Sequence, residues 1–130
     1  MKKIDFVYIV EDDEIASFVI KLALESHASF SSNAIFQNGK LAIDTLSSTN
    51  SSLDNLPELI FLDINMPIMD GWEFLEKFST LTFDKSISVI ILTSSINPED
   101  AEKAKTFKDV KGFLSKPLDL EKLDQVLELI

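Results

Sequence analysis

The sequence predicts an α/β fold built on a parallel sheet, from three observations. Short apolar runs rich in branched and aromatic residues stand at Asp5–Val10, Ala34–Gln37, Leu59–Leu62, Ser88–Leu92 and Gly112–Leu114. Each is followed by a segment whose apolar residues recur at helical spacing, and strands alternating with helices are the pattern of βαβ units. The length of 130 residues suits one domain, able to bury about two-thirds of its unfolded surface without a disulfide or metal staple. Two full domains are excluded.

The elements follow in order. After the first strand, a helix is expected from Glu14 to Ser26, with Ile15, Phe18, Val19 and Leu22 recurring on one face. It ends near His27, where a helix C-terminus favours positive charge. The second helix follows the Asn38–Gly39 turn, carries Leu41, Ala42 and Leu46, and gives way to a polar surface connection at Ser47–Asn55. The third follows Asp70–Gly71 with Trp72, Leu75 and Phe78. The fourth starts at Asn97–Pro98, where Asn caps and Pro is tolerated in the first turn. The fifth begins near Asp119 and carries Leu120, Leu123, Val126 and Leu127. Trp72 and the ten phenylalanines read as packing, and Lys103, Lys105, Lys108 and Lys111 as a solvated face around the fourth helix.

Composition narrows the function classes. The chain has 22 acidic side chains against 12 basic ones, all lysine, and a net charge of −10. Without arginine and with this surplus of acids, binding to phosphate backbones is disfavoured, so no direct nucleic-acid partner is expected. No apolar run approaches the ~20 residues of a membrane helix, and the start lacks a signal-peptide core. A cytoplasmic protein without membrane partners is therefore expected. The absence of cysteine removes thiol chemistry, disulfides and Cys-type zinc sites.

The polar residues at strand ends carry the chemistry. Glu11, Asp12 and Asp13 follow the first strand, Asp63 the third, Thr93 and Ser94 the fourth, and Lys116 stands just past the fifth. In an open parallel sheet these ends share one edge, and ligands bind there where the strand order reverses. Carboxylates that converge raise one another's pKa unless a cation relieves the repulsion. A few carboxylate and carbonyl oxygens, completed by water, suit Mg²⁺ better than a Ca²⁺ cage, and the EF-hand spacing is missing. Lys116 adds a flexible positive charge and Thr93 a hydroxyl donor, both suited to a phosphoryl group. Carboxylate, metal, ammonium and hydroxyl together suit phosphoryl transfer to an aspartate.

Four motifs then match one family over essentially the whole chain: Val10–Glu11–Asp12–Asp13; Phe61–Leu62–Asp63–Ile64–Asn65–Met66–Pro67 with Met69–Asp70–Gly71; Leu92–Thr93–Ser94; and Gly112–Phe113–Leu114–Ser115–Lys116–Pro117. The chain resembles a response-regulator receiver domain of two-component signalling. The resemblance implies a doubly wound, flavodoxin-like sheet of order 2-1-3-4-5 with five helices, a single receiver over residues 1–130 and no output domain within them. It makes Asp63 the phosphoacceptor and implies Mg²⁺, or Mn²⁺, held by Glu11, Asp12, Asp63 and the Asn65 backbone carbonyl. Asp12 would be the more direct ligand and Glu11 would act partly through water. Thr93 and Lys116 would bind the phosphoryl group, with Thr93 and Phe113 as switch residues. The Lys116–Pro117 bond is often cis in such proteins.

The implied donor is a sensor histidine kinase or histidine phosphotransfer protein. The implied output is altered partner binding on the face of the fourth helix, fifth strand and fifth helix. Asn65 and Ser95, small and polar, would flank the path of the water that hydrolyses the acyl phosphate, neither blocking it strongly nor assisting it as acids. Phe113 departs from receivers that carry tyrosine, leaving ring packing as its only readout. Asp13 matches no shared role and reads as a helix cap. Two rival classes follow from the same residues. A haloacid-dehalogenase-like phosphatase also uses a nucleophilic aspartate but needs a second acid where Asn65 stands. A receiver-like binding module would never accept phosphate, and the intact set of polar residues counts against it.

Overall fold

The computed structural model of the chain describes residues 2–49 and 55–130. The elements alternate as β1 (Ile4–Val10), α1 (Glu14–Glu25), β2 (Phe30–Phe36), α2 (Gly39–Thr49), β3 (Leu59–Asp63), α3 (Gly71–Ser79), β4 (Ser88–Thr93), α4 (Pro98–Ala104), β5 (Val110–Ser115) and α5 (Leu120–Leu129). The strands form one parallel sheet in the order β2-β1-β3-β4-β5, the order implied by the resemblance.

Side chains alternate across each strand and feed two cores. Val7 and Ile9 of β1, Leu59 and Phe61 of β3, and Ile90 and Leu92 of β4 pack with Ile20 and Leu24 of α1 and Leu123 and Val126 of α5. Tyr8, Val10, Ile60, Leu62, Val89 and Ile91 point the other way, into Ala42 and Leu46 of α2, Phe74 and Phe78 of α3 and Ala104 of α4. Strands covered on both faces read as continuous apolar runs, as β3 and β4 do.

The helix starts follow their caps. Asp13 accepts the backbone N–H of Ile15 at 2.9 Å and of Ala16 at 3.4 Å. Asp70 and Glu73 form a reciprocal capping box at α3, Asn97 accepts the Glu99 N–H, and Asp119 accepts the Lys122 N–H. His27 follows α1 as expected, its Nε2 donating to Asp124 of α5 at 2.8 Å while Nδ1 accepts the Ser29 N–H at 3.1 Å. The Lys116–Pro117 peptide is cis. Lys103 is more than a solvated charge: its ammonium lies 4.7 Å from the Trp72 ring centroid, and Trp72 also stacks with Phe107.

Three expectations are revised. β2 begins at Phe30 rather than Ala34, because Ser31, Ser32 and Asn33 lie in a polar edge strand in which Phe30, Ser32 and Asn33 pair with β1. Residues 47–49 of the expected connection at Ser47–Asn55 continue α2, and residues 50–54 lie outside the described residues. In α1 the residues buried against the sheet are Ser17, Ile20 and Leu24, whereas Ile15, Phe18, Val19 and Leu22 are exposed. At about 100° per residue these two sets point in opposite directions. The helix is apolar on both sides, and spacing alone does not tell which side meets the sheet. Among the described residues, no helix is long and apolar enough to cross a membrane.

Candidate functional site

The strand order brings the chemistry together. β1 and β3 are neighbours, with Val10 opposite Leu62, so Glu11 and Asp12 leave the sheet beside Asp63. Asp63 pairs with Leu92 of β4, and Thr93 with Ser115 of β5, which brings Thr93 and Lys116 to the same edge. This is also where the strand order reverses, the usual ligand position of an open α/β sheet.

Carboxylate oxygens of Glu11, Asp12 and Asp63 lie within 4.8 Å of one another. Glu11 and Asp63 are buried, at 2% and 6% exposure, and Asp12 is more open. The Lys116 ammonium pairs with Glu11 Oε1 and stands 3.6 Å from Asp63 Oδ1. Its chain position is fixed by the Lys116 N–H donating to the Thr93 carbonyl at 2.8 Å. Glu11 is anchored likewise, its N–H donating to Phe36 O at 2.9 Å. The backbone supplies two further donors: Asp13 N–H to Glu11 Oε2 and Asn65 N–H to Asp63 Oδ1, both at 3.3 Å.

Burial pushes the Glu11 carboxyl up to about 7, and the neighbouring Asp63 adds to that by hydrogen bonding and like charge, against the opposing pull of Lys116. One lysine therefore does not fully compensate the carboxylates. The donor set is hard oxygen throughout, which fits Mg²⁺ or Mn²⁺ and gives a soft metal nothing to prefer.

Thr93 is buried, and its hydroxyl is engaged locally, donating to Ser95 O at 3.1 Å and accepting the Ser95 N–H at 3.3 Å. Asn65 is exposed, immediately past the β3 edge. Phe113 stands apart from the polar cluster. It pairs with Ile91, packs at the margin of the core under α2–α4, and lines a cavity of about 210 Å³ with Ala101 and Ala104 of α4. The structure thus gathers Glu11, Asp12, Asp63 and Lys116, sets Thr93 at the adjoining strand end, and leaves Phe113 on the α4 side of β5.

Two local features escaped sequence reasoning. A Cβ on Gly71 would lie 2.6 Å from Ile64 Cα and 2.9 Å from the Asp63 carbonyl oxygen, so only glycine lets α3 start this close to the end of β3. The Asp70–Gly71 pair marked a helix start but not this contact. Ile68 has φ 71° in a three-residue turn closed by Met69 N–H donating to Pro67 O at 2.8 Å. A β-branched residue gives no sequence signal for such a conformation.

Comparison with known proteins agrees with this arrangement. The response regulator receiver domain family matches residues 7–128. The probable methanogenesis regulatory protein FilR2 of Methanothrix harundinacea is 29% identical over 124 residues, covering 95% of this chain and 79% of that protein. A crystal structure of a two-component response regulator from Cytophaga hutchinsonii superposes with a TM-score of 0.87 at 29% identity, covering 98% of this chain and 96% of that one. The Mn²⁺-bound form of response regulator Rcp1 superposes with a TM-score of 0.72 at 26% identity, covering 95% and 88%. The chain spans less than half the length of several other curated relatives. With a family match over nearly its full length and the sheet order and acidic edge in place, the chain belongs to the response regulator receiver domain family.

Proposed function

We propose that this domain accepts a phosphoryl group on Asp63 from a phosphohistidine of a sensor histidine kinase or phosphotransfer protein. The observation that carries the reading is the buried Asp63 carboxylate flanked by Glu11, Asp12 and Lys116 at the open edge of the sheet. Asp12 and Asp63, with Glu11 partly through water and the Asn65 carbonyl, would hold Mg²⁺ or Mn²⁺. That ion would supply charge neutralisation for the carboxylates and the incoming phosphoryl oxygens.

An Asp63 oxygen attacks phosphorus. The new O–P bond forms as the P–N bond breaks, and the bonding pair leaves with the imidazole nitrogen. Lys116, already between Glu11 and Asp63, turns to the phosphoryl oxygens, and its charge stabilises the acyl phosphate until water releases inorganic phosphate. Asn65 and Ser95 border that water's approach without supplying an acid. Asn65 also leaves the domain without the second acid that an aspartate-based phosphatase needs, so the domain catalyses only its own phosphorylation and dephosphorylation.

For the switch, Thr93 exchanges its bond to Ser95 O for one to a phosphoryl oxygen. A charge-assisted bond is about twice as strong as a neutral one, and the exchange draws the β4–α4 connection inward. Phe113 and the cavity beneath α4 transmit that shift to the α4–β5–α5 face, where the output partner binds. A bias of about 1.4 kcal/mol already moves such an equilibrium tenfold. The reading places the domain in the cytoplasm, where ATP feeds the donor, as a single receiver unit.

The test is intact-protein mass after incubation with Mg²⁺ and acetyl phosphate. One added phosphate is expected on the wild-type chain and none on Asp63→Asn or without a divalent ion. An equal gain on Asp63→Asn overturns the assignment.

A further inference from the structure

Lys122 of α5 behaves unlike the ordinary surface lysines. Lys21, Lys40 and Lys105 each pair with a carboxylate three or four residues away along the chain, the usual partner of an exposed helical lysine. Lys122 bonds to no carboxylate among the described residues, in a chain with 22 acidic side chains. Its ammonium donates instead to Ser115 O at 2.7 Å, Pro117 O at 2.9 Å and Ser115 Oγ at 3.3 Å. A lysine ammonium has three N–H donors, and all three are directed at this one loop.

The acceptors stand on both sides of Lys116. Ser115 ends β5 and Pro117 lies beyond the strand, so the three bonds bracket the residue whose ammonium pairs with Glu11 and stands 3.6 Å from Asp63 Oδ1. Bonds from a charged donor are about twice as strong as neutral ones. Lys122 is itself held at its base, since its N–H donates to the Asp119 cap at 2.8 Å and the next residue, Leu123, is fully buried. From the other side, the Lys116 N–H donates to Thr93 O at 2.8 Å. The backbone that launches Lys116 is therefore fixed once from β4 and three times from α5.

We propose that Lys122 is a positioning residue for Lys116, setting the loop from which that ammonium reaches the phosphoryl group, a proposal resting on Asp63 as phosphoacceptor. Lys122 touches neither the carboxylates nor the incoming group; it acts through the backbone on either side of Lys116. The need for it follows from the chemistry of lysine. The four-carbon stem is flexible and its ammonium is a point charge without the fixed fork of arginine, so the place where the stem begins decides where the charge is delivered. No arginine is present in the chain to share that task.

A brace that served stability alone would make a different set of predictions. Its loss would loosen the whole edge, weaken Mg²⁺ binding and slow labelling whether or not Lys116 were present. A positioning residue acts only through the group it positions, so its effect vanishes when that group is removed. Releasing Lys116 also takes a competing positive charge away from Glu11, which favours a cation at the carboxylates rather than opposing it.

The experiment follows phosphate gain by intact-protein mass over time, with Mg²⁺ and phosphoramidate as the donor. Lys122→Met keeps the apolar stem and removes the ammonium, and unchanged circular dichroism verifies the fold. Labelling should slow by at least about fivefold, because displacing a reacting group by about 1 Å can cost on the order of a hundredfold. In a Lys116→Met background, itself slow, adding Lys122→Met should change the rate by less than about twofold. Calorimetric titration should show Mg²⁺ binding to Lys122→Met at least as tightly as to wild type. Lys122→Gln, uncharged but still a donor, is carried through the same cycle, so the outcome does not rest on the folding of one variant. Wild-type labelling rates in the Lys122 variants overturn the proposal, as does an equal fractional loss in both backgrounds or weakened Mg²⁺ binding. A Lys116→Met chain labelled as fast as wild type overturns the role of Lys116 and this proposal with it. A wild-type chain that gains no phosphate overturns the phosphoacceptor reading itself.

Discussion

Replacing Glu11 with glutamine isolates the electrostatic stress stored at the acidic edge. Burial and Asp63 raise the Glu11 pKa from 4.5 to about 7. A carboxyl with a raised folded-state pKa contributes stability that is fully present below its unfolded value and is lost as pH rises through the folded one. For this shift, the contribution at pH 5 exceeds that at pH 8 by about 2.5 kcal/mol. Glu11→Gln cannot ionise, so the wild-type chain should lose about that much relative to the variant between pH 5 and pH 8. Comparing the two chains cancels the titration of acids that do not contact Glu11. In urea denaturation with EDTA present, the difference between their midpoints should change by about 1–2 M over this range. Adding Mg²⁺ at pH 8 should raise the wild-type midpoint by ligand linkage and affect Glu11→Gln less. A midpoint difference constant from pH 5 to pH 8 would refute the placement of Glu11 as a buried, incompletely compensated carboxylate.

Other perturbations probe the supports of the site. Gly71→Ala forces a methyl against Ile64 Cα and the Asp63 carbonyl and should cost about 2 kcal/mol or more in chemical denaturation, with slower phosphorylation. Ile68→Gly removes a β-branched side chain from a backbone at φ 71° and should raise stability by about 1 kcal/mol in the same assay. Thr93→Val keeps the shape but removes the hydroxyl now bonded to Ser95. It should still gain phosphate by mass, while any phosphorylation-dependent change in Trp72 fluorescence, which reads α4 through Lys103 and Phe107, should be lost.

The parts of the fold legible in the sequence are those where local pattern and burial agree. Leu59–Asp63 and Ser88–Thr93 are covered on both faces, so their apolar runs stood out against the flanking polar residues. Asp13, Asp70, Asn97 and Asp119 marked helix starts because capping is a local interaction. The first half of β2 was hidden because an edge strand needs pairing more than apolar side chains, and Ser32 and Asn33 supply only the former. The inversion of α1 was hidden for a different reason. Small Ser17 lies against the sheet while Phe18 faces outward, a choice made by packing and invisible to periodicity.

The same division holds at the site. Residue types after strands named Glu11, Asp12, Asp63, Thr93 and Lys116, but their convergence depends on β1 lying beside β3, and the order itself came from the family likeness. The pairing of Lys116 with Glu11 and the raised Glu11 pKa depend on distances across elements. No local signal carries them.

The central claim is that Asp63 itself carries the phosphoryl group. After phosphorylation with Mg²⁺, borohydride reduction converts an aspartyl phosphate to homoserine, and peptide mass spectrometry locates the product. Homoserine at position 63, and unmodified Asp12 and Asp13, is the predicted result. Homoserine at another aspartate, or phosphate that survives borohydride on a serine or threonine, would contradict it.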